Sequence, residues 1–547
     1  MENFYKQFCK ESFDSNGILC EYESVYDESF NFAYDVVDKI AELEPNRRAM
    51  VWCNPDGDER VFTFGDMKRY SDMTANYFVA KGIKRGDAVM LILKRHYQFW
   101  FAILALHKIG AVGVPGTNLL MTKDYEYRFE AASVKHIIAT SEGEVIDRVD
   151  TACKKYPNLI TKFSVNGSHD GWNDFDAEFD SYPDSMERMP TLADDAMLLY
   201  FTSGTTGMPK MVFHSFAYPL GHIITAKYWH NVDPNGLHLT VSETGWMKSM
   251  WGKLYGQWLM GTAVFVYDFD KFVPSDLLAV ISKYKVTSFC APPTIYRFFI
   301  KETDDNFDFS SVKYATTAGE ALNPEVYNRF KDMTGLHLME AFGQTETTVL
   351  TLNLVGTTPK PGSMGKPSPL YNVDLIDEDG NSVPPGEVGE VVIRVPEDKI
   401  QNGLFCGYYR DPELTKTVWY DGIYHTGDTA WKDEDGFFWY VGRTDDVIKS
   451  SGYRIGPFEI ESVLMEHPAV LECAVTGAPD PDRGTVVKAT VVLTQSYSPS
   501  DALAKELQNY VKKQTAPYKY PRILEFVPEL PKTISGKIRR AEIRKGN

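Results

Sequence analysis

Between Tyr200 and Lys210 the chain reads Tyr-Phe-Thr-Ser-Gly-Thr-Thr-Gly-Met-Pro-Lys, a set of residue types suited to chemistry on an anion. Gly204 and Gly207 let backbone N–H groups converge, Thr202, Ser203, Thr205 and Thr206 add hydroxyl donors, and Lys210 adds a full charge. A triphosphate fits such a cradle. The spacing Gly204-x-x-Gly207-x-x-Lys210, with no Ser or Thr after the lysine, sets it apart from a Walker A loop. A flexible surface turn uses the same residues, so this loop alone does not decide between the two.

Six further pieces carry polar chemistry downstream. Gly319-Glu320-Ala321 and the run Glu340-Ala341-Phe342-Gly343-Gln344-Thr345-Glu346 can offer backbone and aromatic surface to a purine. Glu346 is a carboxylate suited to Mg²⁺, an ion that binds nucleotide phosphates through few protein ligands. Asp428, in His425-Thr426-Gly427-Asp428, is placed to accept from two ribose hydroxyls, and Gly442-Arg443-Thr444-Asp445 supplies a guanidinium. Ser450-Ser451-Gly452-Tyr453-Arg454 is a turn with a second arginine, and Ile534-Ser535-Gly536-Lys537 puts a lysine on a glycine turn. Singly, each reads equally well as a hairpin, a salt bridge or a solvated tail; together, and in this order, they read as one site.

The elements that must position these pieces are α/β at first. Val89–Leu93 and Ala111–Val114 read as strands around an amphipathic helix from His96 to Lys108, which makes a βαβ unit and a parallel sheet. Residues before about 60 read as a helical and irregular preamble. The apolar run Met197–Phe201 is a strand leading into the phosphate loop, and Trp246 to Gly261 reads as one aromatic helix. Strands at Val264–Val266, Val286–Phe289 and Tyr314–Thr317 end in turns that line one crevice, because ligands of open α/β sheets sit beyond the carboxyl ends of strands. From about Ser363 alternating runs joined by Asp379-Gly380, Asp421-Gly422 and Asp435-Gly436 read as antiparallel hairpins. After Asp445 the pattern is α+β. The expected architecture is a large N-terminal domain, 1–445, of two α/β subdomains plus a β-barrel-like subdomain, followed by a small mobile α+β domain, 446–547.

Bulk composition narrows the function classes. At 547 residues the chain exceeds one ordinary core. A formal net charge of -18 argues against a nucleic-acid partner or an anionic membrane surface. Nucleotide binding survives that charge, since screening acts over roughly 8 Å and local cations decide the site. The seven cysteines are scattered without ligand spacing, which points to a reducing, cytoplasmic setting rather than to zinc or disulfides. The longest apolar block is too short for a membrane span.

In this order, the motifs resemble those of AMP-forming acyl-CoA synthetases of the adenylate-forming superfamily, which also holds luciferases and peptide synthetase adenylation domains. The likeness runs over nearly the whole chain. It is closest to medium-chain acyl-CoA synthetases at Phe342–Thr347, Ser450–Pro457 and Thr515–Pro521. The resemblance implies a carboxylic acid, ATP and CoA as small-molecule partners and Mg²⁺ as cofactor. The acid attacks the α-phosphate, pyrophosphate leaves, and the CoA thiol then displaces AMP. It implies that Thr202, Ser203, Gly204, Thr205, Thr206, Gly207 and Lys210 hold the β- and γ-phosphates, and that Glu346 assists Mg²⁺. Gly319, Glu320, Ala321, Glu340, Ala341, Phe342, Gly343 and Gln344 would frame the adenosine, with Thr345 reaching the α-phosphate. Asp428 would bind ribose, with Arg443 on ribose or phosphate and Arg454 also near the nucleotide. Lys537 would stabilise charge where the carboxylate meets the α-phosphate.

For the second step the resemblance implies Ser451, Gly452 and Tyr453 facing CoA, with Arg454 and Arg483 on its phosphates, after the small domain turns about a hinge at Asp445. Trp246 corresponds to the wall beside the acyl chain. Trp251, bulky where medium-chain relatives carry a smaller aliphatic residue, suggests a short or branched acid; packing in the core is its other reading. Two rivals stay open. An adenylating ligase for aryl or amino acids, delivering to a carrier protein, needs in its amino-acid form a buried aspartate for the ammonium, and the pocket stretches offer no clear one. A degenerate nucleotide-binding regulator is expected to have lost some of Lys210, Glu346, Asp428, Arg443 and Lys537, all of which are present. Homo-oligomerisation is left open.

Overall fold

The computed structural model describes residues 1, 3–202, 208–301, 308–395, 402–450, 453–480, 484–532 and 537–545. Two large sheets form the body. In the first, Val112–Pro115, Ala88–Ile92, His136–Thr140 and Thr161–Val165 run parallel, and Ala196–Thr202 joins them in parallel beside Val112–Pro115. Lys210–Ser215 then returns antiparallel to Ala196–Thr202, with Thr202 opposite Lys210. The phosphate loop therefore spans a hairpin rather than a strand–helix junction, and Lys210 opens a strand.

The second sheet has nine strands. Its parallel centre is Leu338–Gly343, Tyr314–Thr317, Ser288–Ala291, Leu237–Thr240, Ala263–Tyr267 and Arg48–Cys53. Two expectations change here. The first sixty residues are helical only at Phe4–Phe8 and from Ala33 to Leu43: Cys9–Phe13 and Leu19–Ser24 form a hairpin, and Arg48–Cys53 is an integral strand of this sheet. The helix near His96 spans Gln98–Ile109, and all twelve of its residues are buried. A helix enclosed on every side needs no polar face. Its one lysine, Lys108, is held by Asp38 at 2.8 Å and Asp72 at 2.6 Å.

The stretch after Trp246 also departs from a single helix. It is two short ones, Lys248–Gly252 and Tyr255–Leu259, broken where Leu254 adopts φ -152° and ψ -86°. A Cβ on Gly252 would lie 1.9 Å from the Thr240 hydroxyl, so this segment presses directly onto the end of the strand Leu237–Thr240.

Beyond these sheets Val373–Ile376, Val388–Arg394, Ile423–Lys432, Trp419–Tyr420 and Phe438–Arg443 build an antiparallel sheet, the β-barrel-like part. The chain continues into a hairpin, Ile448–Ser450 with Tyr453–Ile455, and a three-stranded sheet of Val470–Asp480, Gly484–Leu493 and Ile523–Phe526. Helices Pro457–Met465 and Asp501–Gln514 complete the core of this small α+β unit. It is clamped internally by Arg540, whose guanidinium reaches both oxygens of Glu461 at 2.8 and 2.7 Å. No helix among the described residues is long and apolar enough to cross a membrane.

Candidate active site

Asp428 is the centre of the polar site. It lies on the long strand Ile423–Lys432, paired with Arg443 on the neighbouring strand, and is 4% exposed. Its Oδ2 accepts from Gln344 Nε2 at 2.5 Å and from Arg443 Nη1 at 3.1 Å, and its Oδ1 accepts from Tyr440 at 3.0 Å. Burial pushes this carboxyl up, and Arg443, Tyr440, Gln344 and Lys537 act against that shift. Gly427 has φ +69°, and a Cβ there would meet Arg443 Nη2 at 2.7 Å, so only glycine lets the guanidinium lie against the strand.

Three segments are locked together beside it. His214, on Lys210–Ser215, hydrogen-bonds through Nε2 to the Thr345 carbonyl at 2.8 Å. Complete burial drops its pKa to about 3, so it is a neutral imidazole donating through Nε2. Glu346 Oε1 accepts from the Tyr408 hydroxyl at 3.0 Å, and Lys210 Nζ lies 5.0 Å from the centre of the Tyr408 ring. Tyr424 donates to Gln344 Oε1 at 2.7 Å. The strand Lys210–Ser215, the Gln344–Glu346 turn and Asp428 are thus one hydrogen-bonded assembly.

Thr202 and Lys210 stand at the two ends of the phosphate loop, while Ser203, Gly204, Thr205, Thr206 and Gly207 lie outside the described residues. Gly319 takes φ +106° at the carboxyl end of Tyr314–Thr317, and Ala318 and Ala321 flank its turn. The Glu320 carboxylate turns toward Thr294, at 3.0 and 3.1 Å. Phe342 sits 6.1 Å from the Tyr440 ring, the aromatic surface nearest Asp428. A Cβ on Gly343 would meet the Thr348 carbonyl at 2.3 Å and the Trp251 ring at 2.6 Å. Trp251 is therefore wedged under the Gln344 turn, with Trp229 and His222 beside it at 6.4 Å each, and is also part of the core. Trp246 is partly exposed one step earlier.

In the small unit, Lys537 is exposed, and its charge lowers the pKa of both Asp428 and Lys248. Asn323 also reaches across, donating to the Ser462 carbonyl at 3.0 Å. Asp445 lies 3.9 Å from Arg443, and its carbonyl accepts from Arg544 at 3.2 Å. Tyr453 is stacked on Tyr518 at 4.0 Å. Ser451, Gly452, Arg483 and the side chain of Arg454 lie outside the described part.

Several participants carried no sequence signal. Tyr408, Tyr424, Tyr440 and His214 belong to no motif, and their roles come from contacts across strands far apart in the chain. Lys248 was hidden in the aromatic stretch.

Glu340 yields a pH prediction. It is enclosed, its Oε1 accepts from the Leu322 amide at 3.0 Å, and Oε2 has no partner among the described residues. Burial raises its pKa to about 8, so the carboxyl is protonated at neutral pH. The folded state then holds a proton that the unfolded chain releases above about 4.5, so stability falls as pH rises from about 4.5 to 8. Glu340→Gln keeps the acceptor and removes the titration. Its urea-unfolding free energy is expected to decline less between pH 5 and 8 than that of the unmodified protein, by on the order of 1 kcal/mol or more.

Two large, mainly parallel sheets, an antiparallel third part and a small α+β unit after Asp445 make up the fold of an adenylate-forming enzyme. The chain belongs to the AMP-binding enzyme family, which it matches over residues 37–409, and residues 459–537 match the AMP-binding enzyme C-terminal domain. It is 42% identical over 528 residues to the mitochondrial acyl-coenzyme A synthetase ACSM3 of Pongo abelii, covering 95% of this chain and 90% of that protein. Human mitochondrial ACSM5 is 42% identical over 527 residues, covering 94% and 90%. Among solved structures, the anthranilate CoA ligase AuaEII with anthranoyl-AMP aligns with TM-score 0.87 and 28% identity, covering 95% of this chain and 98% of that one. A Brucella canis acyl-CoA synthetase aligns with TM-score 0.73 and 31% identity, covering 95% and 94%.

Proposed function

We propose that this chain joins a short, medium or branched carboxylic acid to CoA through an acyl-adenylate, with ATP cleaved to AMP and pyrophosphate. The observation that carries the reading is the hydrogen-bonded Asp428–Arg443–Gln344 assembly, tied through Tyr424 and the Thr345 and Glu346 contacts to the strand that begins at Lys210, with the charge of Lys537 from the small unit also acting on Asp428. Ribose hydroxyls are held at Asp428, the phosphates lie along the hairpin from Thr202 to Lys210, and Thr345 faces the α-phosphate. Lys537 neutralises charge where the carboxylate attacks phosphorus, which fixed cations do best in a site that excludes water.

Glu346 fits Mg²⁺. It is a carboxylate without an ion-pair partner among the described residues, pushed upward by burial and eased by the charges of Lys210 and Arg443. Such an ion takes one or two carboxylates plus phosphate oxygens, and when bound it supplies charge neutralisation on the phosphates. The described residues contain no cluster of three or more metal-binding side chains, which suits an ion held mainly by nucleotide.

In the second half-reaction the small unit turns at Asp445, and the turn at Ser451, Gly452 and Tyr453, with Arg454 and Arg483, meets CoA. All seven cysteines are unpaired thiols, which supports a reducing compartment such as the cytoplasm; the relatives above are named mitochondrial.

The test is acid-stimulated exchange of labelled pyrophosphate into ATP over acids of graded length and branching; no stimulation by any acid overturns the reading. Trp246 and Trp251 wall the acyl end. Trp251→Leu is expected to move the kcat/KM optimum toward longer acids, by about tenfold for each two or so added carbons. An unchanged optimum assigns Trp251 to the core alone.

A further inference from the structure

We propose that Lys248 makes the acyl pocket selective for acids bearing an oxygen acceptor (a hydroxyl, an oxo group or a second carboxylate) a few carbons from the reacting carboxylate. This rests on the acyl-CoA synthetase reading above and names the substrate class of that site.

Lys248 stands two residues after Trp246 and three before Trp251, inside the segment assigned to the acyl wall, between the apolar neighbours Met247 and Met250. Its Nζ donates to the Ala318 carbonyl at 2.7 Å. Ala318 precedes Gly319 in the turn assigned to the adenosine. Lys248 also feels the charge of Lys537, which acts in turn on Asp428. The ammonium thus lies between the hydrocarbon wall and the place where acid and nucleotide meet.

An ammonium has three donors, and only the Ala318 carbonyl accepts from this one among the described residues. No carboxylate there comes within ion-pair distance. The acid charge that acts on it, Glu320, is engaged by Thr294 and lies 3.5 Å from Arg297. Lys108, fully buried, has two carboxylates within 3 Å, whereas the half-buried Lys248 has none among the described residues. Burial pushes the Lys248 ammonium pKa down, as it must for a cation without a counter-ion.

A plain alkyl chain beside it strips water from the remaining N–H donors and returns nothing. An oxygen on the substrate supplies the missing acceptor, and sites built to hydrogen-bond a substrate reject analogues lacking that group far more strongly than sites that measure bulk.

The experiment compares kcat/KM for pyrophosphate release with butanoate, 3-hydroxybutanoate, 3-oxobutanoate and butanedioate, and with benzoate against its hydroxy derivatives. It uses the unmodified protein and the variants Lys248→Leu, Lys248→Met and Lys248→Arg. Each preference is a ratio within one preparation, so partial misfolding cancels. The expected result is that at least one oxygen-bearing acid is favoured over its parent by about tenfold or more. Leucine and methionine should collapse or reverse that ratio, and arginine should retain it. Activity on the plain acids with ratios unmoved in both the leucine and methionine variants overturns the role of Lys248 and leaves the synthetase reading intact. Absence of pyrophosphate release with every acid in the unmodified protein overturns both.

Discussion

Lys537→Ala is expected to lose adenylate formation by about 10²–10³-fold while thioester formation from supplied acyl-AMP and CoA stays within a few-fold of the unmodified rate. In the arrangement described here, the small unit delivers the Lys537 charge to the neighbourhood of Asp428 and Lys248. Negative charge builds between the attacking carboxylate and the α-phosphate only in the first half-reaction. A cation aimed at that point lowers that barrier and no other. On the function proposed above, displacement of AMP by a thiol instead uses Gly452, which belongs to the same small unit and is needed at the reacting centre at a different time. On that same proposal the unit rotates between the two steps, with Asp445, whose carbonyl accepts from Arg544 at 3.2 Å, as the hinge. The measurement is pyrophosphate–ATP exchange for the first step and CoA consumption from synthetic acyl-AMP for the second. Equal losses in both would mean that Lys537 supports the fold or a shared contact rather than the adenylation step.

What the chain alone makes legible is which residue types stand at fixed positions, and the structure brings several of them together, Asp428 with Arg443 and Gln344. Glycine must stand at 319 and 427 because the backbone there is left-handed, and an acid and a guanidinium must face each other at 428 and 443. The groups that hold those residues in place were not legible. Tyr440 reaches Asp428 across a strand pair, Tyr408 reaches Glu346 over sixty-two positions, and His214 reaches Thr345 over a hundred and thirty-one. Such contacts depend on strand order, which local periodicity does not encode. The same reason explains Arg48–Cys53, whose parallel partner Ala263–Tyr267 comes two hundred residues later, and the helix Gln98–Ile109, whose enclosure depends on what packs around it. Lys248 carries no sequence signal because a stripe of Met and Trp reads as core; its hydrogen bond to the Ala318 carbonyl, seventy residues away, depends on how the segment packs.

Asp428→Asn is the second large effect, because it tests the assembly rather than one bond. The carboxylate receives three donors, two of them on Oδ2 from Gln344 and Arg443. An amide fits the same space with its oxygen toward Gln344 and Arg443 and its NH₂ donating to the Tyr440 hydroxyl oxygen, but the Tyr440 O–H then loses its acceptor and the Arg443 guanidinium its counter-charge. Leaving such groups unsatisfied in an enclosed site costs about 1–3 kcal/mol, less where Arg443 can turn to solvent. Ribose hydroxyls also lose their acceptor, so ATP affinity is expected to fall by at least about tenfold. Tyr440→Phe removes one donor and leaves the carboxyl with its Gln344 and Arg443 partners, so it should weaken ATP binding only a few-fold. Urea unfolding measures the first quantity and equilibrium titration with ATP the second. If the asparagine variant matches the unmodified protein in both, Asp428 is not the hub that joins the two strands to the nucleotide.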